Sequence, residues 1–127
     1  MARDPNVPDA FDVYTVVILR RPDGAPDLPE AELDALQSQH LAYRAGLRDR
    51  GLIVANGPFL GQSDESLRGL SIFRCDPVEA AQLSEDDPSV IAGRLTYEVM
   101  EWWTGVSTLA FPLADGSVGD RRSLPDD

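Results

Sequence analysis

The chain of 127 residues has no lysine, one cysteine and one histidine. A single cysteine excludes an intramolecular disulfide and a metal site built from several cysteines, and one histidine adds too little for a zinc site. Neither common type of glycine-rich phosphate-binding loop is present. The longest apolar runs are short, as at residues 16–19, whereas a membrane helix needs about 20 such residues. The N-terminus has no apolar signal core, so we expect a cytoplasmic protein with no metal, no other cofactor and no membrane segment.

The balance of charge also excludes classes of partner. There are 22 acidic and 11 basic residues, which gives a formal net charge of −11. Binding to nucleic acid or to an anionic membrane requires a basic surface, so we expect neither. Apolar residues make up 43% of the chain, which is typical of a folded protein, and the length fits one domain. We assign this domain to residues 11–112 and predict that residues 1–10 and 113–127 are flexible acidic arms.

Periodicity and turn residues predict the order β-α-β-β-α-β. The predicted elements are a strand at 11–21, a helix that runs to about 50, strands at 52–56 and 67–74, a helix from 77 with a further helical turn from 87 to about 93, and a strand at 95–103. Residues 106–111 are a candidate extension of the sheet. This order is typical of the ferredoxin-like α+β fold, an antiparallel sheet with both helices on one face.

Capping residues mark the predicted helix ends. Asp27 and Glu30 have the spacing of a capping box, and Gly51 is placed to end the same helix in a left-handed conformation. Asp76 and Asp87 each precede a proline, which is favoured at the first position of a helix, so each is a predicted N-cap.

His40, the only histidine, lies inside the first predicted helix on the face that should meet the core. The apolar residues on this face, at offsets of three, four or seven from the histidine, are Leu33, Leu36, Tyr43 and Leu47. A histidine among apolar side chains needs a polar partner, and the best distant candidate is Asp87. A carboxylate would orient the ring and stabilise its protonated form, so the pair could transfer a proton near neutral pH.

Each member of the pair also has an ordinary structural interpretation. His40 could be a core histidine with one satisfied hydrogen bond, and Asp87 is explained as an N-cap without reference to His40. Asp86 is the alternative partner of His40 if the helical turn predicted to start at residue 87 begins one residue earlier.

Four further residues are candidates for binding a substrate. Arg44 lies one helical turn after His40 and could hold an anionic group, although it could equally pair with an acid of the protein. Tyr43 could donate a hydrogen bond in a pocket or simply pack in the core. Gly57 and Pro58 follow the second strand, where they could let the backbone approach a ligand or only end the strand.

These residues resemble the YCII-related (YciI-like) domain family over roughly residues 13–104. The shared motifs, in order, are His40, Gly51-Leu52, Gly57-Pro58, Ile72-Phe73, Glu79-Ala80-Ala81, Asp87-Pro88 and Glu98-Val99-Met100-Glu101-Trp102. The resemblance implies a ferredoxin-like domain that dimerises into an α+β barrel, with His40 and Asp87 as the catalytic pair. It also implies reactions such as the dehydrochlorination of a chlorinated hydroxyquinol, and related folds isomerise muconolactone.

The leading hypothesis is a small cofactor-free enzyme that uses a His–Asp pair for proton transfer. Its reaction would be an isomerisation or an elimination of the lyase or dehydrohalogenase kind, on a small organic molecule such as a cyclic or aromatic compound. The alternative is a non-catalytic dimeric module that binds a small ligand or a protein. Both hypotheses include a homodimer, because residues 13–19 and 95–103 are apolar on both sides and two helices cover only one sheet face.

Overall fold

The computed structural model describes residues 4–111 of the chain. The elements are β1 (Phe11–Arg20), α1 (Glu30–Asp49), β2 (Ile53–Pro58), β3 (Leu67–Phe73), α2 (Pro77–Glu85), α3 (Pro88–Ile91) and β4 (Thr96–Gly105). The four strands form one antiparallel sheet in the order β2-β3-β1-β4. This mixed α+β architecture is an open sheet consistent with the predicted ferredoxin-like fold, and the predicted order of strands and helices is confirmed.

One face of the sheet forms the core. Val17 of β1 pairs with Ser71 of β3 and Val99 of β4, so these side chains point to the same side. Val17 belongs to a buried cluster with Leu47 of α1 and Ala80 of α2. Both helices therefore cover the same face, as predicted.

The other face of the sheet carries apolar side chains that no helix covers in the described part of the chain. Val16 of β1 pairs with Ile72 of β3 and Met100 of β4, and Trp102 lies two residues further along β4 on the same side. Met100 and Trp102 are 40% and 42% exposed. Trp103 points to the opposite face, as the alternation of a strand predicts, and is exposed as well. Neither tryptophan is therefore a core residue.

The start of α1 differs from the prediction. The helix begins at Glu30, its N-cap is Pro29, and no side chain caps it. The predicted capping box of Asp27 and Glu30 is wrong because it would make Leu28 the first helical residue. A residue before proline is held in an extended conformation, so Leu28 cannot begin a helix. The end of α1 is as predicted, since Gly51 follows it with a φ of 74°.

Two strand ends also differ. β2 continues through Gly57 and Pro58, which pair with Leu70 and Gly69 of β3. Proline is tolerated there because β2 is an edge strand and the missing N–H costs no ladder bond on its outer side. The candidate sheet extension at residues 106–111 is wrong: β4 ends at Gly105 and the chain turns.

The predicted arms fall partly inside the described residues. In the N-terminal segment, Pro8 packs against Gly105, and a Cβ built on Gly105 would lie 3.1 Å from Pro8 Cγ. Residues 113–127, the predicted C-terminal arm, lie outside the described residues. Within residues 4–111, no helix has both the length and the apolar character needed to cross a membrane.

Candidate active site

Helix α1 and the start of α3 bring the two candidate catalytic residues together. His40 lies in the middle of α1, and Asp87 is the N-cap of α3, with its Oδ1 accepting a hydrogen bond from Ser89 N at 2.9 Å. The proline after Asp87 fixes the first helical position and thereby the direction of the cap. The local sequence thus explains both the Asp87 cap and helix α1. The contact between them depends on the tertiary fold.

His40 and Asp87 are in direct contact. The Nδ1 atom of His40 lies 2.9 Å from each carboxylate oxygen of Asp87. An ionised carboxylate only accepts hydrogen bonds, so Nδ1 carries the proton and donates it to Asp87. The other ring nitrogen, Nε2, forms no hydrogen bond with any of residues 4–111, and the His40 side chain is 13% exposed. In the neutral ring Nε2 is therefore the basic nitrogen, held in one orientation by the carboxylate.

Arg44 is the second cation at Asp87. Its Nε atom donates to Asp87 Oδ2 at 3.0 Å, and its side chain is 2% exposed. The structure therefore gives Arg44 a different placement from the substrate-binding position predicted from the sequence. The guanidinium is buried and pairs with Asp87, an acid of the protein, as the alternative interpretation of Arg44 expected. It is four residues after His40, so the same helix face supplies both partners of Asp87.

A polar chain continues from Arg44 into the sheet. Its Nη1 atom donates to Ser71 Oγ at 3.3 Å, and the Ser71 hydroxyl donates to Asn56 Oδ1 at 2.6 Å. The guanidinium also lies over the ring of Phe73, with 5.9 Å from Cζ to the ring centroid. Its Nη2 atom is buried and has no partner in the described part of the chain. Arg44 is thus held by β2 and β3 as well as by Asp87.

The surroundings of Asp87 favour its ionised form. Complete burial of the side chain would by itself raise the pKa of the carboxyl group. The hydrogen bond and charge of His40, the Ser89 amide and the charge of Arg44 act in the opposite direction. Their combined effect is larger, so the pKa of Asp87 lies below its ordinary value. The carboxylate therefore stays charged wherever His40 can act as a base.

Tyr43 lies beside the pair without contacting it. Its hydroxyl donates to the carbonyl oxygen of Leu83 at 2.7 Å, and its ring packs against the core. Burial and the negative charge of Asp86 raise the pKa of Tyr43, so the phenol stays protonated. These contacts join α1 to α2, which fits the packing interpretation, and Asp86 itself is exposed rather than directed at His40.

Gly57 and Pro58 lie at the end of edge strand β2. Neither forms a hydrogen bond with His40 or Asp87, and Pro58 is exposed. The nearest link is indirect, through Asn56 and Ser71 to Arg44. The backbone of Gly57 approaches β3 closely instead: a Cβ built on Gly69 would lie 3.1 Å from Gly57 O, so a larger residue at position 69 would have to displace this backbone by a few tenths of an ångström.

A cavity of about 230 Å³ lies next to the pair. Ser89, whose amide contacts Asp87, lines it together with Leu36 and Gln37, which precede His40 by about one helical turn. Neither His40 nor Asp87 lines this cavity.

No cluster of three or more His, Cys, Asp or Glu side chains within residues 4–111 has the geometry of a metal site.

Sequence reasoning missed the residues that support the pair. Ser71 is a buried polar residue in the apolar run of β3, which was a visible signal of a buried polar contact. Asn56, which accepts its hydrogen bond, is exposed and gave no such signal. The Ser89 amide could not be found in this way, because any residue type supplies one.

Geometry and fold together define a class: a small open-sheet α+β domain in which a partly exposed histidine of α1 contacts a buried aspartate at the start of α3. A family model for the YCII-related domain matches residues 2–103, so the chain belongs to the YCII-related domain family. No curated protein matches the chain significantly. Among solved structures, it is similar to the 5-chloro-2-hydroxyhydroquinone dehydrochlorinase (TftG) from Burkholderia phenoliruptrix AC1100 in complex with 2,5-dihydroxybenzoquinone. The identity is 22%, the TM-score 0.51, and the match covers 70% of this chain and 92% of that one, which supports the fold.

Proposed function

We propose that this protein is a small-molecule enzyme in which His40 and Asp87 carry out proton transfer. The observation that carries the proposal is the 2.9 Å contact between His40 Nδ1 and the completely buried carboxylate of Asp87, while Nε2 forms no hydrogen bond with residues 4–111. This is the arrangement in which a carboxylate fixes the tautomer of a histidine and leaves the second nitrogen to act on a substrate. The dehydrochlorinase with a similar fold supports a small-molecule reaction.

The proposed reaction is an isomerisation or an elimination. Nε2 takes a proton from an acidic C–H or O–H of the substrate, and the electron pair of that bond moves into the substrate. In an elimination the pair forms a new double bond and a leaving group such as chloride departs with its own bonding electrons. In an isomerisation the proton returns from Nε2 to a different carbon. Asp87 stays ionised throughout and stabilises the imidazolium that forms.

The test is the loss of turnover in His40→Asn and His40→Gln. Chlorinated hydroquinones and unsaturated lactones are the first compounds to screen, by chloride release and by the change in ultraviolet absorbance. We expect kcat to fall about 10²–10⁴-fold in both variants, the usual contribution of a general base. Gln39→Asn, one residue away on the exposed side of α1, is the matched control and should keep full activity. Wild-type turnover in His40→Asn would refute the proposal.

We further propose that the protein is a homodimer joined through the uncovered sheet face. Met100 and Trp102 lie on this face and are 40% and 42% exposed, whereas Val16 and Ile72 beside them are already buried. A second copy packed against this face would cover the two exposed side chains. Such a dimer would be the α+β barrel that the family resemblance implies.

The alternative function, a non-catalytic dimeric binding module, is favoured by one observation. Neither His40 nor Asp87 lines the neighbouring cavity. If His40→Asn changed neither turnover nor the binding of any screened compound, while the dimer persisted, the module would be the better interpretation.

A further inference from the structure

Three arginines gather at one end of the sheet in a chain of net charge −11. Arg21 follows β1, Arg68 lies on β3 and Arg94 precedes β4. The Nε atom of Arg21 approaches the carbonyl oxygen of Arg94 at 3.4 Å. Burial and the positive charges of Arg94 and Arg68 lower the pKa of Arg21. Neighbouring positive charges repel one another, so an anion bound between these arginines would be stabilised.

None of these arginines forms an ion pair within residues 4–111, although Asp23, Asp27 and Glu65 line a second cavity with them. The ion pairs formed there by arginines are those of Arg20 and Arg44. Asp34 lines the same cavity as Arg21 and Arg94, yet it does not come within the 4.0 Å of an ion pair with either. Arg21 and Arg94 thus line a cavity, and no carboxylate within residues 4–111 forms an ion pair with either of them.

This cavity is the one beside the His–Asp pair. Arg21 and Arg94 line it opposite Leu36, Gln37 and Ser89. Leu36 and Gln37 precede His40 by four and three residues, so they lie on the same face of α1, about 5 Å along the helix. Ser89 connects the cavity to Asp87 through its amide. The cavity therefore lies about one helical turn from His40 along α1, although His40 itself does not line it.

We propose that Arg21 and Arg94 bind the carboxylate group of the substrate, so that the enzyme acts on a small organic acid. This inference rests on the proposed function, because it places the anion relative to His40. Guanidinium groups bind carboxylates through two parallel hydrogen bonds, which fixes orientation as well as position. The cavity volume of about 230 Å³ is below the ~300–1,000 Å³ typical of sites for drug-sized ligands, which fits a monocyclic acid.

The probe for this site is benzoate, with benzamide as its uncharged counterpart of the same shape. Binding is measured by following the backbone amide signals of Leu36, Gln37 and Ser89 in NMR titrations at low salt. We expect benzoate to shift these signals with saturation and benzamide to bind at least tenfold more weakly. Arg21→Gln is the first variant to test, because the 3.4 Å contact of Arg21 with the Arg94 carbonyl oxygen is longer than the 2.8 Å contact of Arg94 with the Pro26 carbonyl oxygen. It should weaken benzoate binding roughly tenfold, as the loss of a charge-assisted hydrogen bond does.

Controls separate this inference from the proposed function. Arg48→Gln removes the same charge from the exposed end of α1 and should leave benzoate affinity unchanged. Arg94→Gln is a second test if Arg21→Gln does not fold. His40→Asn should still bind benzoate, since the carboxylate site does not include His40. Three outcomes would each overturn the carboxylate site. Arg48→Gln could lose as much benzoate affinity as Arg21→Gln, or benzamide could bind as tightly as benzoate. Arg21→Gln and Arg94→Gln could also both keep the full benzoate affinity of the wild type. If His40→Asn kept full turnover while benzoate binding still depended on Arg21, only the proton-transfer proposal would fail.

Discussion

Replacing Asp87 with asparagine should destabilise the protein strongly, because it leaves Arg44 as a buried charge without a counterion. Asp87 is completely buried and Arg44 is 2% exposed, and their contact is 3.0 Å from Nε to Oδ2. Removing one partner of a buried ion pair usually costs about 3–5 kcal/mol. Asparagine still caps α3 and still offers Arg44 one oxygen. We therefore expect a loss at the low end of this range, about 3 kcal/mol.

The assay is urea unfolding of the wild type and of three variants, followed by tryptophan fluorescence. Arg44→Met keeps much of the buried volume without the charge, so the double variant Arg44→Met/Asp87→Asn removes both charges. We expect the double variant to recover about 2 kcal/mol relative to Asp87→Asn, since replacing a buried pair by apolar groups is often close to neutral. If Asp87→Asn alone stays within about 0.5 kcal/mol of the wild type, the ion pair does not exist as described.

Three further outcomes are expected. Because folding lowers the pKa of Asp87, its stabilising contribution is complete above the ordinary carboxyl value of about 3.9 and is lost as the pH falls towards the lower folded value. Unfolding free energies measured between pH 6 and pH 2.5 should therefore fall more steeply in the wild type than in Asp87→Asn, and parallel curves would contradict this. In sedimentation velocity at micromolar concentration, we expect the wild type to be a dimer and Trp102→Glu to be a monomer. The control Val78→Glu changes an exposed residue of α2 and should stay dimeric. A monomeric wild type would refute the face-to-face dimer. A chain limited to residues 11–112 should melt within about 5 °C of the full chain, and a larger drop would show that an arm contributes to the packing.

The fold and the position of His40 could be predicted because both depend on local patterns. The 3.6-residue period of α1 places His40 on the inner face, and Pro88 selects Asp87 rather than Asp86 as the cap. The start of α1 was mispredicted although its cause was also local. Pro29 restricts Leu28, and a favourable capping pattern cannot overcome that restriction.

The role of Arg44 could not be predicted, because it depends on contacts far apart in the chain. A guanidinium one turn after a candidate catalytic histidine is compatible both with a substrate and with an internal acid. The choice is made by Asp87, 43 residues away, and by Ser71, 27 residues away, which together enclose the side chain. Only the assembled sheet and helices show that the space beside Arg44 is filled by protein. Arg21 and Arg94 do line a cavity, but the sequence gave no indication that they lie close together, because they belong to separate turns.

The arrangement of Arg44 bears on how His40 could act as a base. A general base must release its proton again near the working pH, and a carboxylate acting alone on the ring would favour the protonated form. Arg44 contacts the same oxygen, Oδ2, that His40 Nδ1 approaches, so the negative charge of Asp87 is shared between two cations. The hydrogen bond can then orient the ring while Arg44 offsets part of the carboxylate charge. If the proposed function holds, Arg44 would be a positioning residue that acts through Asp87, whereas Arg21 and Arg94 would meet the substrate.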